Sequence, residues 1–81
     1  MEPYSNLSGQ SGVLAYQLGN EYIIVQFKTG QYVFYKYTNV SAGGPVVERL
    51  KALAVQGSGL NSYISTNKPP YSSKAMSLVG L

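Results

Sequence analysis

The chain has no histidine, no cysteine, no tryptophan and no aspartate among its 81 residues. Without histidine or cysteine there is no Ser-His or Cys-His pair to activate a nucleophile, and no imidazole or thiolate to hold a transition metal. The lack of cysteine also excludes a disulfide framework. Carboxylates are nearly as scarce: Glu2, Glu21 and Glu48 fall in separate segments, so no local carboxylate pair offers acid–base chemistry. No apolar run approaches the length of a membrane span, and the first residues lack the basic and apolar regions of a secretion signal. These absences predict a module that is not an enzyme, uses no metal or cofactor, meets no membrane and works in the cytoplasm.

Charge is also thin. The net +3 permits a phosphate-bearing partner but falls short of the dense Lys/Arg field of a strong non-specific DNA binder. One domain is all that 81 residues can build, and its core is marginal. With no metal or disulfide to add stability, a homo-oligomer is expected, because subunit contact removes further apolar surface from water.

What the chain does contain is strand-like and rich in phenol rings. Residues 1–11 are polar and Gly/Ser-rich, without an apolar period, and are expected to form a flexible arm. Val13 to Leu18, Glu21 to Lys28 and Gln31 to Tyr37 are rich in Val, Ile, Tyr and Phe and are separated by Gly19-Asn20 and Thr29-Gly30. Short glycine-containing breaks between such runs signal tight hairpins. Two-residue turns at both breaks would set Phe27 opposite Tyr32, Val25 opposite Phe34 and Ile23 opposite Lys36. Leu14 and Tyr16 would join that side as the core face, leaving Tyr22, Tyr35 and Tyr37 together on the other.

Pro45 suits the first position of a helix, the apolar residues Val46, Val47, Leu50, Leu53 and Ala54 recur at helical spacing, and Gly57 can end it. A second short helical turn is expected at Leu60 to Ser65. Residues 72–81 form a tail, frayed or docked on a neighbouring subunit. The predicted fold class is α+β: a three-stranded antiparallel β-meander packed by one α-helix and a short second helical turn, with the domain spanning residues 12–71.

Ile23-x-Val25-x-Phe27 with Gly30, then Tyr35-Lys36-Tyr37 and Val40, and later Ser58-x-x-Asn61-x-x-Ile64 and Tyr71, resembles the KTSC domain. That short module is found alone in bacteria and phages and at the carboxyl end of some lysyl-tRNA synthetases. Its hallmark Tyr-x-Tyr corresponds to Tyr35 and Tyr37. The resemblance covers residues 12–71 and implies a compact α+β module with a nucleic-acid role.

Eight tyrosines point to a contact surface, since the ring is broad, has a hydrogen-bonding tip and loses little entropy on contact. A base can stack on such a ring. Tyr35 and Tyr37 are therefore candidate ligand contacts, the alternative being half-buried sheet residues. Arg49 and Lys68 are candidate phosphate contacts, although each also fits a plain surface charge. Asn61, beside Tyr63, can read a base edge through its amide or simply cap the second helix. The expected function is non-catalytic binding of a nucleotide-type ligand, RNA or a small nucleotide signal, at Tyr35, Tyr37, Asn61, Tyr63, Arg49 and Lys68. A phage anti-defence protein that sequesters an immune nucleotide signal is one version of this. The alternative is a protein–protein interaction module that uses its tyrosine-rich sheet face.

Overall fold

A computed structural model describes residues 1–81. It is α+β, with one antiparallel sheet of five strands in sequential order: β1 (Glu2–Pro3), β2 (Val13–Leu18), β3 (Tyr22–Phe27), β4 (Phe34–Thr38) and β5 (Ser73–Ala75). Helices α1 (Gly44–Gln56) and α2 (Leu60–Asn67) lie between β4 and β5 in the chain, and a 3-10 turn at Leu78–Gly80 follows. No helix is long and apolar enough to cross a membrane. The expected central meander is present, but two more strands flank it.

Those strands come from the segments expected to stand apart. The amino-terminal residues 1–11 are anchored by Tyr4, 6% exposed, whose hydroxyl accepts a hydrogen bond from the Leu60 N–H at 3.3 Å. Backbone bonds from Tyr4 N–H to Leu14 O and from Leu7 N–H to Gly57 O bind this arm across the sheet edge and the junction of the two helices. At that crossing Gly57 has φ +80, and a Cβ there would lie 2.6 Å from the Ser5 Cβ. The tail joins its own sheet: Ser72 N–H donates to Lys36 O at 2.7 Å, and Lys74 pairs with Tyr35.

The registers explain which side chains face the helices. In the β2–β3 hairpin Leu18 lies opposite Ile23, and Gly19 N–H donates to Tyr22 O, so the turn is centred on Asn20-Glu21 rather than Gly19-Asn20. That displaces the pairing by an even step, which leaves each side chain on its expected face. Tyr16 therefore stays beside Ile23 and Val25. A bulge between Val13 and Ala15 then turns Val13 inward, 1% exposed, and Leu14 outward, 44% exposed. Leu14 is thus not the core residue it was expected to be.

Lys51 on α1 fixes this turn by donating to Gly19 O at 2.6 Å and Asn20 O at 3.0 Å, while pairing with Glu48 at 3.3 Å. Replacing Lys51 with methionine keeps the stem and removes the donor. It is expected to cost about 1–2 kcal/mol in a thermal or chemical melt, with the loss independent of salt if the carbonyl bonds rather than the exposed ion pair are responsible.

The β3–β4 hairpin differs by a single residue, and there the face changes. Val25 lies opposite Tyr35 and Ile23 opposite Tyr37, because a longer loop through Thr29-Gly30 replaces the expected two-residue turn. Tyr35 and Tyr37 accordingly share the inner face with Ile23, Val25 and Phe27, whereas Phe34 and Lys36 join Tyr22, Ile24 and Gln26 outside. The expected platform of Tyr22, Tyr35 and Tyr37 on one side does not form. The physical reason is charge: the expected register would put the Lys36 ammonium under α1, and burying an unpaired cation is far costlier than burying a phenol.

Helix α1 follows its sequence signals, with Pro45 in the first turn and Gly57 in the left-handed conformation closing it through bonds to Leu53 O and Ala54 O. It buries Val47, Leu50, Leu53 and Ala54 against Ile23, Val25 and Tyr37. Helix α2 runs to Asn67, beyond the expected Ser65, and ends where Lys68 adopts φ 46 ahead of Pro69.

Candidate binding cleft

Between the inner face of the sheet and the segment after α2 lies a cleft of about 370 Å³, lined by Phe27, Tyr35, Tyr37, Ile64, Lys68, Pro69, Pro70 and Tyr71. Each wall has a local cause. The one-residue register change brings Tyr35 and Tyr37 inward beside Phe27. Ile64 projects from α2. Lys68 in the left-handed region ends that helix, and Pro69-Pro70 cannot continue it, so the chain crosses back extended and sets Tyr71 against Tyr35.

The rings meet edge to face. Phe27 and Tyr35 have centroids 5.5 Å apart at 88°, and Tyr35 and Tyr71 are 5.1 Å apart at 86°. This geometry suits the ring quadrupoles and holds the walls in fixed orientations. Tyr71 remains 43% exposed at the rim. Beside it, the Lys74 ammonium sits 5.5 Å from the Tyr71 ring centroid and 4.7 Å from that of Tyr32. Contact with the Tyr71 side chain raises the Lys74 pKa, so this cation stays charged across the physiological range.

Tyr37 lines the cleft although it is 3% exposed. Burial, reinforced by the nearby Tyr35 and Tyr71 phenols, pushes its pKa from 10.0 up to about 12. None of the side-chain hydrogen bonds within the chain engages its hydroxyl. A neutral phenol with a free donor therefore belongs to the cleft wall. Because the folded-state pKa is raised, the unfolded chain releases this proton first as pH rises. The stabilisation is complete below pH 10.0 and declines as pH climbs to about 12. Urea midpoints measured across this window should fall more steeply for the natural protein than for Tyr37→Phe.

The six residues expected to share one site divide among four places. Tyr35, Tyr37 and Lys68 are brought together in the cleft. Asn61 lines a separate polar pocket with Ser8, Gln10, Ser11, Gly59 and Ser62, and it makes no capping bond, since the cap position before α2 is Gly59 and no side chain caps the helix. Tyr63 packs on the hydrophobic core and its carbonyl accepts from the Asn67 amide. Arg49 is exposed on α1 and lines none of the pockets. Phe27, Ile64, Pro69, Pro70 and Tyr71 complete the cleft lining, and Lys74 lies outside it against the Tyr71 ring. Lys74 had no signal in the sequence, because only the pairing of β5 brings it to Tyr71. None of the three glutamates lines the cleft.

No family model matches this chain, and no curated protein or solved structure matches it.

Proposed function

We propose that this chain is a non-catalytic binding module that holds a nucleotide-type ligand, RNA or a small nucleotide signal, in the aromatic cleft. The observation that carries the reading is the union of an edge-to-face wall, Phe27–Tyr35–Tyr71, with Lys68 in the cleft lining and Lys74 against the Tyr71 ring. A base fits against the rings, the Tyr37 hydroxyl supplies a hydrogen bond to its edge, and the ammonium groups meet phosphate. The cleft volume of about 370 Å³ lies at the small end of ligand pockets, which suits one nucleotide unit. The likeness to the KTSC domain read from the sequence belongs to the same proposal. Arg49, Asn61 and Tyr63 lie outside the cleft, so the proposed contacts are Phe27, Tyr35, Tyr37, Lys68, Tyr71 and Lys74.

Cytoplasmic location and assembly into a homo-oligomer belong to the same proposal. Leu7, 72% exposed, and Val55, 63% exposed, are apolar surface that a second subunit could cover. The version in which a phage protein sequesters an immune nucleotide rests on the distribution of the resembled family.

Salt separates this reading from a protein-docking surface. Titrating the chain with a mononucleotide such as AMP at rising ionic strength should show progressively weaker binding, because exposed lysine–phosphate attraction is screened. The double change Lys68→Ala and Lys74→Ala should weaken binding at low salt and flatten that dependence. Binding of AMP that is indifferent to both salt and the two lysines would refute the assignment of phosphate to them.

A further inference from the structure

The amino-terminal arm is seated firmly, but the loop that returns it to the sheet is not. Tyr4 belongs to the core cluster with Leu53, Ala54 and Leu60. Glu2 and Pro3 pair with Tyr16 and Ala15 on the edge of β2, and Leu7 N–H donates to Gly57 O at 2.8 Å. The hydrogen bonds of residues 8–11, in contrast, all stay within the stretch from Asn6 to Val13. Gly9 N–H donates to Asn6 O at 2.9 Å, Ser11 N–H to Asn6 Oδ1 at 3.0 Å, Gln10 N–H to Ser8 Oγ at 3.2 Å and Val13 N–H to Ser11 Oγ at 3.1 Å. Turning back also requires left-handed backbone at Asn6, with φ 52°, and at Gly9, with φ 77°. Asn6 carries a side chain in that sparsely occupied region. A short hinge held in such a bend is the kind that exchanges its arm with a neighbour.

We propose that this arm exchanges between two copies of the chain, so that Tyr4 of each enters the core of the other. The occupant of the seat is therefore the same arm from a second molecule. Its seat is identical in both copies, so the exchanged dimer repeats every contact of β1, Tyr4 and Leu7, and only the hinge differs.

The register suits a twofold axis. Continuing the pairs Glu2–Tyr16 and Pro3–Ala15 by equal steps along both strands brings Gly9 opposite Gly9 of the second copy. Residues 8–11 then leave the bend and join an antiparallel ladder across the axis, where backbone groups with only local partners find regular ones. Leu7, 72% exposed in the closed chain, comes to lie in that ribbon between the two bodies. Tethering works the other way, since a short linker holds the arm near its own seat at millimolar effective concentration. The dimer therefore gains ground as the protein is concentrated. This gives a form to the assembly proposed above and is independent of the nucleotide reading.

The chain has no cysteine, so a disulfide placed across β1 and β2 reports which molecule supplies the arm. Pro3→Cys and Ala15→Cys, made in separate full-length chains, are mixed at millimolar concentration, incubated and oxidised. Neither chain can form the bond within itself, so a disulfide-linked dimer of the two variants is expected from exchange, and Pro3→Cys alone should give far less. Light scattering should show the natural chain moving towards the mass of two chains as concentration rises, and a Gly-Ser insertion after Gly9 should return it to the mass of one. A chain that stays monomeric at millimolar concentration overturns the exchange together with the proposed assembly. A dimer whose mixed variants do not link, or one that the insertion leaves unchanged, overturns the exchange and leaves assembly through another surface.

Discussion

Leu50→Ala is expected to lower the unfolding free energy by about 2–5 kcal/mol, the range for emptying a packed leucine site. Leu50 is 0% exposed at the centre of α1 and belongs to the cluster that joins the helix to Ile23, Val25 and Tyr37. Its side chain cannot be replaced by local collapse, because the surrounding groups come from the sheet, both helices and the amino-terminal Tyr4. Domains of this length have roughly 5–10 kcal/mol of stability in all. The variant should therefore show a much lower urea midpoint with an unchanged slope. A midpoint within error of the natural protein would mean that α1 does not pack on this sheet face.

Tyr35→Ala is expected to weaken nucleotide binding by about 10- to 100-fold, the cost of removing one stacking ring in single-strand binders. Tyr35 touches both neighbouring walls, Phe27 and Tyr71, so its loss removes a contact and frees the two remaining rings. Tyr35→Phe retains the ring and the edge-to-face pairs, and should bind within a few-fold of the natural protein. Calorimetric titration of AMP into all three proteins, with circular dichroism to confirm that each is folded, checks this. Equal losses for alanine and phenylalanine would show that the hydroxyl, rather than the ring, makes the contact.

The parts legible in the sequence were those fixed by short-range pattern. Period-two apolar runs marked β2, β3 and β4, and the spacing of Val47, Leu50, Leu53 and Ala54 between Pro45 and Gly57 marked α1. What the pattern did not hold was pairing between distant residues. Pro3 and Ala75 sit in strands of two and three residues, too short for any periodic signal, and they exist because β2 and β4 offer them edges. The β3–β4 register turned on the length of the loop, and a single residue decided whether Tyr35 faced solvent or the helix. Lys36 held the missing clue, since a charge alternating with two tyrosines favours the register that leaves the charge outside. Within the site, Tyr35, Tyr37 and Lys68 were legible from residue chemistry, whereas Tyr71 and Lys74 needed the return of the chain along β4.

Native mass spectrometry of the full chain after incubation with a mixture of mononucleotides tests most directly whether it binds such a ligand and releases it unaltered. The expected spectrum shows an adduct at the mass of an intact nucleotide, reports the number of subunits that carry it, and loses the adduct in Tyr35→Ala. A spectrum without any adduct, or one in which the nucleotides are converted to new masses by the natural protein but not by a cleft variant, would contradict a non-catalytic nucleotide-holding role.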